Sequence, residues 1–267
     1  MKEPVLFKTS AGDATSALAV IDRQEVILEP HEKRFVFLTV KNATGISESV
    51  IETKENSHLE LVMLQHISLE LDTISRVKLR VGKDSSVKFT FIQSGAKRAH
   101  VEIETEVLGS GANVEIRGLQ WAKYNQKLSF AAKSRHAVPH TRSDLQVWCI
   151  ANDEAHSIFN GVITIDQGAH HTEAYQKNKN LLLSDRATVD TFPKLFIWNH
   201  DVKCAHGSSV SQLEPDQFYY LQSRGIDQAA AESMLLKGFM HQSFEWITDL
   251  DTKTKLEKIF EIEEEQF

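Results

Sequence analysis

The chain has 267 residues, 41% of them hydrophobic, enough to bury a sizeable core in one or two domains. Its formal charge of −7 argues against non-specific nucleic-acid binding, which draws its affinity from a basic face. Two cysteines, Cys149 and Cys204, make no disulfide framework and fit a reducing compartment.

Residues 1–24 read as an arm or a short strand. The opening MKEPVLFKTSAGDATSALAVID has no long apolar core followed by a small-residue cleavage site, so no secretory signal is expected. Glu3 and Asp13 argue against a transit peptide, and no apolar run is long enough to cross a bilayer. A cytoplasmic location follows as the expectation, with neither membrane nor nucleic acid as partner.

From Glu25 to Ser211 the dominant signal has period two. Ile67, Leu69 and Leu71 alternate with Ser68 and Glu70. Val77, Leu79 and Val81 do the same, as do Val87, Phe89 and Phe91, then Val101, Ile103 and Val107. Val114 and Ile116, Leu128 and Phe130, Leu145 and Val147, and Ile163 and Ile165 continue it. This is the pattern of half-buried strands. Turn-like breaks fall at Gly82–Ser85, Gly109–Asn113, Ala151–Asp153 and Asp166–Gly168. Such strands build a sandwich, a barrel or a β-helix, and periodicity does not choose among them. Asn160-Gly161 is the one strong hairpin dipeptide, and that scarcity slightly disfavours a hairpin-rich sandwich.

After Gln212 the period changes to that of helices. Pro215 suits a first helical turn, and Gly225 suits the position just past its end. Asp227 is a good N-cap for a helix carrying Ala231, Leu235 and Phe239, with Phe244 and Ile247 extending its apolar stripe. Asp251 or Thr252 can cap a last helix with Leu256, Ile259 and Phe260. The helices of residues 212–267 are expected to cap one end of the β-structure.

The residue pair that carries chemistry is Cys204 and His206. On an extended backbone, residues two apart share a face, so one sulfur and one ring nitrogen converge. A thiolate and a neutral imidazole suit iron, zinc or copper(I). Two ligands are few, so another part of the chain or another subunit must complete the site. The alternative is a packed cysteine and a turn histidine. His200 joins their face if the strand is regular, and is otherwise a surface histidine. Cys149, on the face of Leu145 and Val147, reads as a core thiol. His170 and His171 would point to opposite faces of a strand, so they are assigned to a solvated turn beside Glu173; His136 and His140 have no support as ligands. No phosphate-binding loop and no nucleophile triad stands out, so the chain is not expected to be an enzyme.

Several segments together resemble the SufB/SufD family of iron–sulfur cluster assembly scaffolds. They are Asn180-Leu181-Leu182-Leu183 with Ala187, Thr191, Pro193 and Leu195; Asp201-Val202-Lys203-Cys204 with His206-Gly207; and Tyr220-Leu221-Gln222-Ser223-Arg224-Gly225-Ile226 with Ala231 and Gly238-Phe239. His140–Ser143, Phe159-Asn160-Gly161 and Thr172–Gln176 also fit. The C-terminal half matches well, and His206-Gly207 after the cysteine looks more like the SufD branch.

The resemblance implies a mainly β fold, a right-handed parallel β-helix over residues 25–211, with a helical domain at 212–267. It implies a transient iron–sulfur cluster or iron, shared between subunits and held by Cys204 and His206, with His200 a further candidate from strand alternation alone. It implies two partners: a SufC-type ABC ATPase, docked on Tyr219, Tyr220, Leu221, Arg224 and Phe239, and a SufB-like subunit or a second copy of the chain. A β-stack ends in unpaired strand edges, so the run Leu195-Phe196-Ile197-Trp198 is the expected dimer joint. Two positions depart from the family: Phe196 stands where an acidic residue is usual, and His200 where an Asp is usual. Family members also commonly carry an N-terminal helical domain, which these residues do not include. A structural paralogue that keeps the fold but binds no cluster is therefore the second reading.

Overall fold

The computed structural model describes residues 20–264. Most of the segment expected as an arm lies outside them, and strand structure has begun by Val20. Fourteen strands alternate between two seven-stranded sheets: odd-numbered strands form one, ordered β1(Val20–Leu28), β3(Gly45–Thr53), β5(Asp72–Val81), β7(Arg98–Val107), β9(Lys127–His136), β11(His156–Ile165), β13(Thr188–Ile197). Even-numbered strands form the other: β2(Lys33–Thr39), β4(His58–Ile67), β6(Ser86–Gly95), β8(Asn113–Ala122), β10(Arg142–Ala151), β12(Thr172–Leu182), β14(Val202–Gln212). Every registered pair is parallel, so the chain winds as a β-helix with two strands per coil. Asn160-Gly161 lies inside β11 and makes no hairpin.

Registered residues are 26 positions apart between Arg80 and Glu106, but 31 apart between Arg142 and Glu173. Turns absorb the difference, which is why no fixed sequence repeat is visible. One expected strand is a turn: β4 ends at Ile67, and Leu69 is exposed on the way to β5.

Inward residues of both sheets form one continuous core, including Leu28, Ile51, Leu79, Ile103, Phe89, Phe91, Phe130 and Phe159. Its aromatic rings meet edge-on or tilted, with Phe91 and Phe130 centroids 5.9 Å apart and Phe130 and Phe159 6.5 Å apart. Such pairs add about 0.5–1.5 kcal/mol to the burial itself. Cys149 is fully buried in this core, as expected, and burial pushes its thiol pKa up to about 11.

The two outer faces differ. The odd-strand face carries ion pairs between neighbouring coils, such as Arg80–Glu106 and Lys133–Glu102. The even-strand face carries Val62, Leu64, Ile92, Leu119, Trp121, Trp148 and Ile150, all buried. These residues explain where the helices go. α2(Gln228–Phe244) and α3(Leu250–Glu264) cover this face with Leu236, Met240, Phe244, Leu256 and Phe260. The helical part thus lies on a sheet face and not on the end of the stack, where the sequence pattern alone had suggested it. Two outward rows of apolar side chains on β4–β10 need cover more than a coil end does. The linker after α2 is pinned as well: Trp246 Nε1 donates to Thr90 Oγ1 at 2.8 Å, and the Arg117 guanidinium lies 4.7 Å from the Trp246 ring centre.

Asp227 caps α2, accepting from Ala230 N at 2.9 Å. α1(Pro215–Ser223) begins at Pro215 and is followed by Gly225 at φ +85°, the left-handed geometry that ends a helix. Asp249 caps α3, accepting from Thr252 N, in place of the expected Asp251 or Thr252.

The open coil as candidate functional site

The last coil has no neighbour beyond it among the described residues. β13 and β14 are edge strands, and the inward rows that are sealed in earlier coils are uncovered here. From β13 the inward row is Val189, Thr191, Pro193 and Leu195; from β14 it is Val202, Cys204, His206 and Ser208. Thr191 Oγ1 and Ser208 Oγ meet at 3.0 Å across the interior.

Register fixes what lies beneath each side chain. Cys204 sits over Ala174, His206 over Gln176, and Ser208 over Asn178. Ala174 is small, and Cys204 packs half-buried with Leu195 and Val202 above Ile163 and Ile165. Under Ser208 the floor turns polar. Asn178 Nδ2 donates to Val147 O at 3.2 Å, and Asn180 Nδ2 donates to Asn178 Oδ1 and to Ser209 O. Gln176 is buried, and its Oε1 has no hydrogen-bond partner among the described residues. A Cβ at Gly161 would lie 2.5 Å from that oxygen, so glycine there makes room for the amide. Ala174 and Gln176 thus form the floor beneath Cys204 and His206, with Gly161 beside the Gln176 amide and Asn178 and Asn180 continuing the row under Ser208 and Val210.

Burial without a charged or donor partner pushes the Cys204 thiol pKa up to about 11. The neighbouring Lys203 gives the thiol no support: its ammonium reaches Glu173 on the outer face, at 2.7 Å. The thiol is thus protonated at neutral pH, and binding a metal would have to displace the proton. His206 is exposed. His200 lies in the bend before β14, so the alternation that would align it with Cys204 does not reach it.

The run expected from sequence as a joint borders this opening. Leu195 faces inward, while Phe196, Ile197 and Trp198 are exposed, Trp198 at 66%. The helical signature is divided. Tyr219, Tyr220 and Arg224 are exposed on or just past α1, with the Arg224 guanidinium 5.4 Å from the Tyr220 ring centre. Leu221 is half-buried, and Phe239 packs into the layer between helices and sheet. α1 buries no residue of its own.

Sequence reasoning missed one cluster. His140, His170 and His171 are all exposed, and their candidate ligand atoms lie within 4.8 Å of one another. His170 and His171 do sit in a turn, as expected. Coil stacking then brings His140 alongside, which local spacing does not reveal.

A sequence model described as SUF system FeS cluster assembly, SufBD core domain, matches residues 10–239. The chain belongs to the SufB/SufD family. This SufD-like chain is 29% identical over 231 residues to the iron–sulfur cluster assembly protein SufD of Escherichia coli, covering 84% of the chain and 53% of the relative. It is 28% identical over 193 residues to SufD of Bacillus subtilis, covering 72% and 44%. It is 30% identical over 190 residues to the chloroplastic protein ABCI7 of Arabidopsis thaliana, covering 71% and 40%. The SufD-like chain spans about half the length of these curated relatives. No described helix is long and apolar enough to cross a membrane.

Proposed function

We propose that the chain is a SufD-like scaffold subunit that offers Cys204 and His206 to a nascent iron–sulfur cluster at a subunit joint. One observation carries the reading: both side chains lie on the inward row of the last coil, which has no further coil over it among the described residues. In the middle of the stack that row is sealed core. Here it is a shallow mouth rimmed by Phe196, Ile197 and Trp198, with two unpaired strand edges. A second coil stack, from a SufB-like subunit or another copy, satisfies those edges and brings the missing ligands. The cluster is cargo in this scheme. The chain supplies a thiol that ionises only when metal arrives, an imidazole, and a floor of stacked side chains beneath them.

The helices supply the second half of the proposal. α1 leaves Tyr219 and Tyr220 exposed, with Arg224 just beyond it, which suits docking of a SufC-type ATPase. Subunit movement driven by such a partner would open and close a joint whose ligands are shared.

The test is anaerobic purification of the assembled complex, with iron and sulfide counted per complex. Cys204→Ala and His206→Ala are each expected to reduce both severalfold while thermal unfolding stays unchanged. Unchanged cluster content in both variants would reject the ligand reading and leave a structural paralogue. Changing the exposed Tyr219 and Tyr220 of α1 to Ala is expected to abolish capture of the ATPase while thermal unfolding stays unchanged.

A further inference from the structure

We propose that His140, His170 and His171 form a binding site for a transition-metal dication, separate from Cys204 and His206. The three imidazoles come from two successive turns on the same side of the stack. His140 lies between β9 and β10; His170 and His171 lie between β11 and β12. His140 N donates to His170 O at 3.0 Å, which fixes the two turns against each other. His140 and His171 share the same left-handed backbone, φ 56° in both, so their side chains leave equivalent turn positions. Their ring centres are 4.8 Å apart, and that of His170 is 5.7 Å from His140 and 5.2 Å from His171.

A supporting shell is already in place. Asp201 Oδ2 lies 3.0 Å from His171 Nδ1, which leaves Nε2 of that ring for a metal. A carboxylate on the far nitrogen is the usual arrangement behind a metal-bound histidine. Asp201 is itself positioned. Its N–H donates to Asn199 Oδ1 at 2.8 Å, and Asn199 Nδ2 donates to Gln167 O at 2.6 Å. His171 N donates to Asp201 O at 2.7 Å, so the last coil is tied to the site through backbone too.

The donor set selects the ion. Three neutral nitrogens suit zinc, nickel or copper and are poor ligands for magnesium or calcium, which take oxygen. Tetrahedral zinc with nitrogen ligands holds them about 3.4 Å apart. Exposed imidazoles that start within 4.8 Å reach that by small side-chain rotations. Three protein nitrogens leave a fourth position open to water or another ligand. A bound ion would link the fifth and sixth coils directly, and the seventh through Asp201.

The experiment is calorimetric titration of the full chain with zinc chloride, in a Cys204→Ala, His206→Ala background that removes the thiol–imidazole pair of the last coil. One zinc per chain is expected, with a rise in the unfolding temperature when it is bound. Adding His140→Ala and His171→Ala is expected to remove the binding, with the circular dichroism unchanged. Asp201→Asn, as a positioning change, is expected to weaken it about tenfold while keeping the stoichiometry. Absence of zinc binding in the starting background overturns the proposal, as does binding that survives loss of His140 and His171. Should the doubly changed chain misfold, His170→Ala alone replaces it, and zinc binding undiminished in that variant overturns the proposal equally.

Discussion

Lowering the pH tests a histidine that does no chemistry. His136 is fully buried, with Nδ1 2.8 Å from Thr141 Oγ1 and Nε2 2.8 Å from Ser143 Oγ. Burial pulls its pKa down from 6.5 to about 4. The folded value lies below the unfolded one, so the unfolded chain takes up the proton first as pH falls. The stabilisation is whole above pH 6.5 and drains away as the pH drops toward 4. The full span is worth about 3 kcal/mol, of which about 2 kcal/mol is lost by about pH 5. Urea unfolding followed by tryptophan fluorescence at several pH values reads this directly. His136→Gln is less stable at neutral pH, but its stability should fall by about 2 kcal/mol less than that of the unmodified chain between about pH 7.5 and pH 5. Parallel pH profiles for the two proteins would refute the reasoning, because every other residue is the same in both.

Two further outcomes are expected. Phe244→Ala removes a ring that is 4% exposed and stacks on Phe260 with centroids 6.0 Å apart; it should cost about 3–5 kcal/mol in urea unfolding, and a loss below about 1 kcal/mol would mean the helix layer is not anchored there. Cys204, with its pKa pushed up to about 11, should react with iodoacetamide at pH 7.5 about tenfold more slowly than a thiol of pKa 9, the roughly hundredfold smaller thiolate fraction being partly offset by the more basic thiolate's nucleophilicity, with the rate still rising above pH 10; a midpoint near 9 in peptide mass spectra would contradict the burial argument.

The alternation of Val77, Leu79 and Val81, or of Val101 and Ile103, made the strands legible, because one face of each is charged and solvated. The helix ends were legible from Pro215, Gly225 and Asp227. The even strands hid a second message. In β4, Leu61-Val62-Met63-Leu64 breaks the alternation because both faces are buried, one by core and one by helices. Read as a clue, that run places the helices on a sheet face. Cys204 and His206 stood out because a thiol and an imidazole two positions apart on one strand share a face whatever the stacking. The histidine cluster did not, because His140 and His171 become neighbours only when coils of unequal length are stacked.

The parallel, in-register winding makes the protein a ruler with fixed divisions. Each coil adds one strand to each sheet, a step of about 4.8 Å. Among the described residues, seven strands per sheet set the β1 and β13 edges about 29 Å apart, six such steps. Whatever is held at the Cys204 end is therefore separated from the β1 end by a whole number of steps. Duplicating or losing a complete coil would shift that separation by one division and leave the chemistry of the last coil intact. A shorter insertion would be absorbed in a turn and leave the separation unchanged.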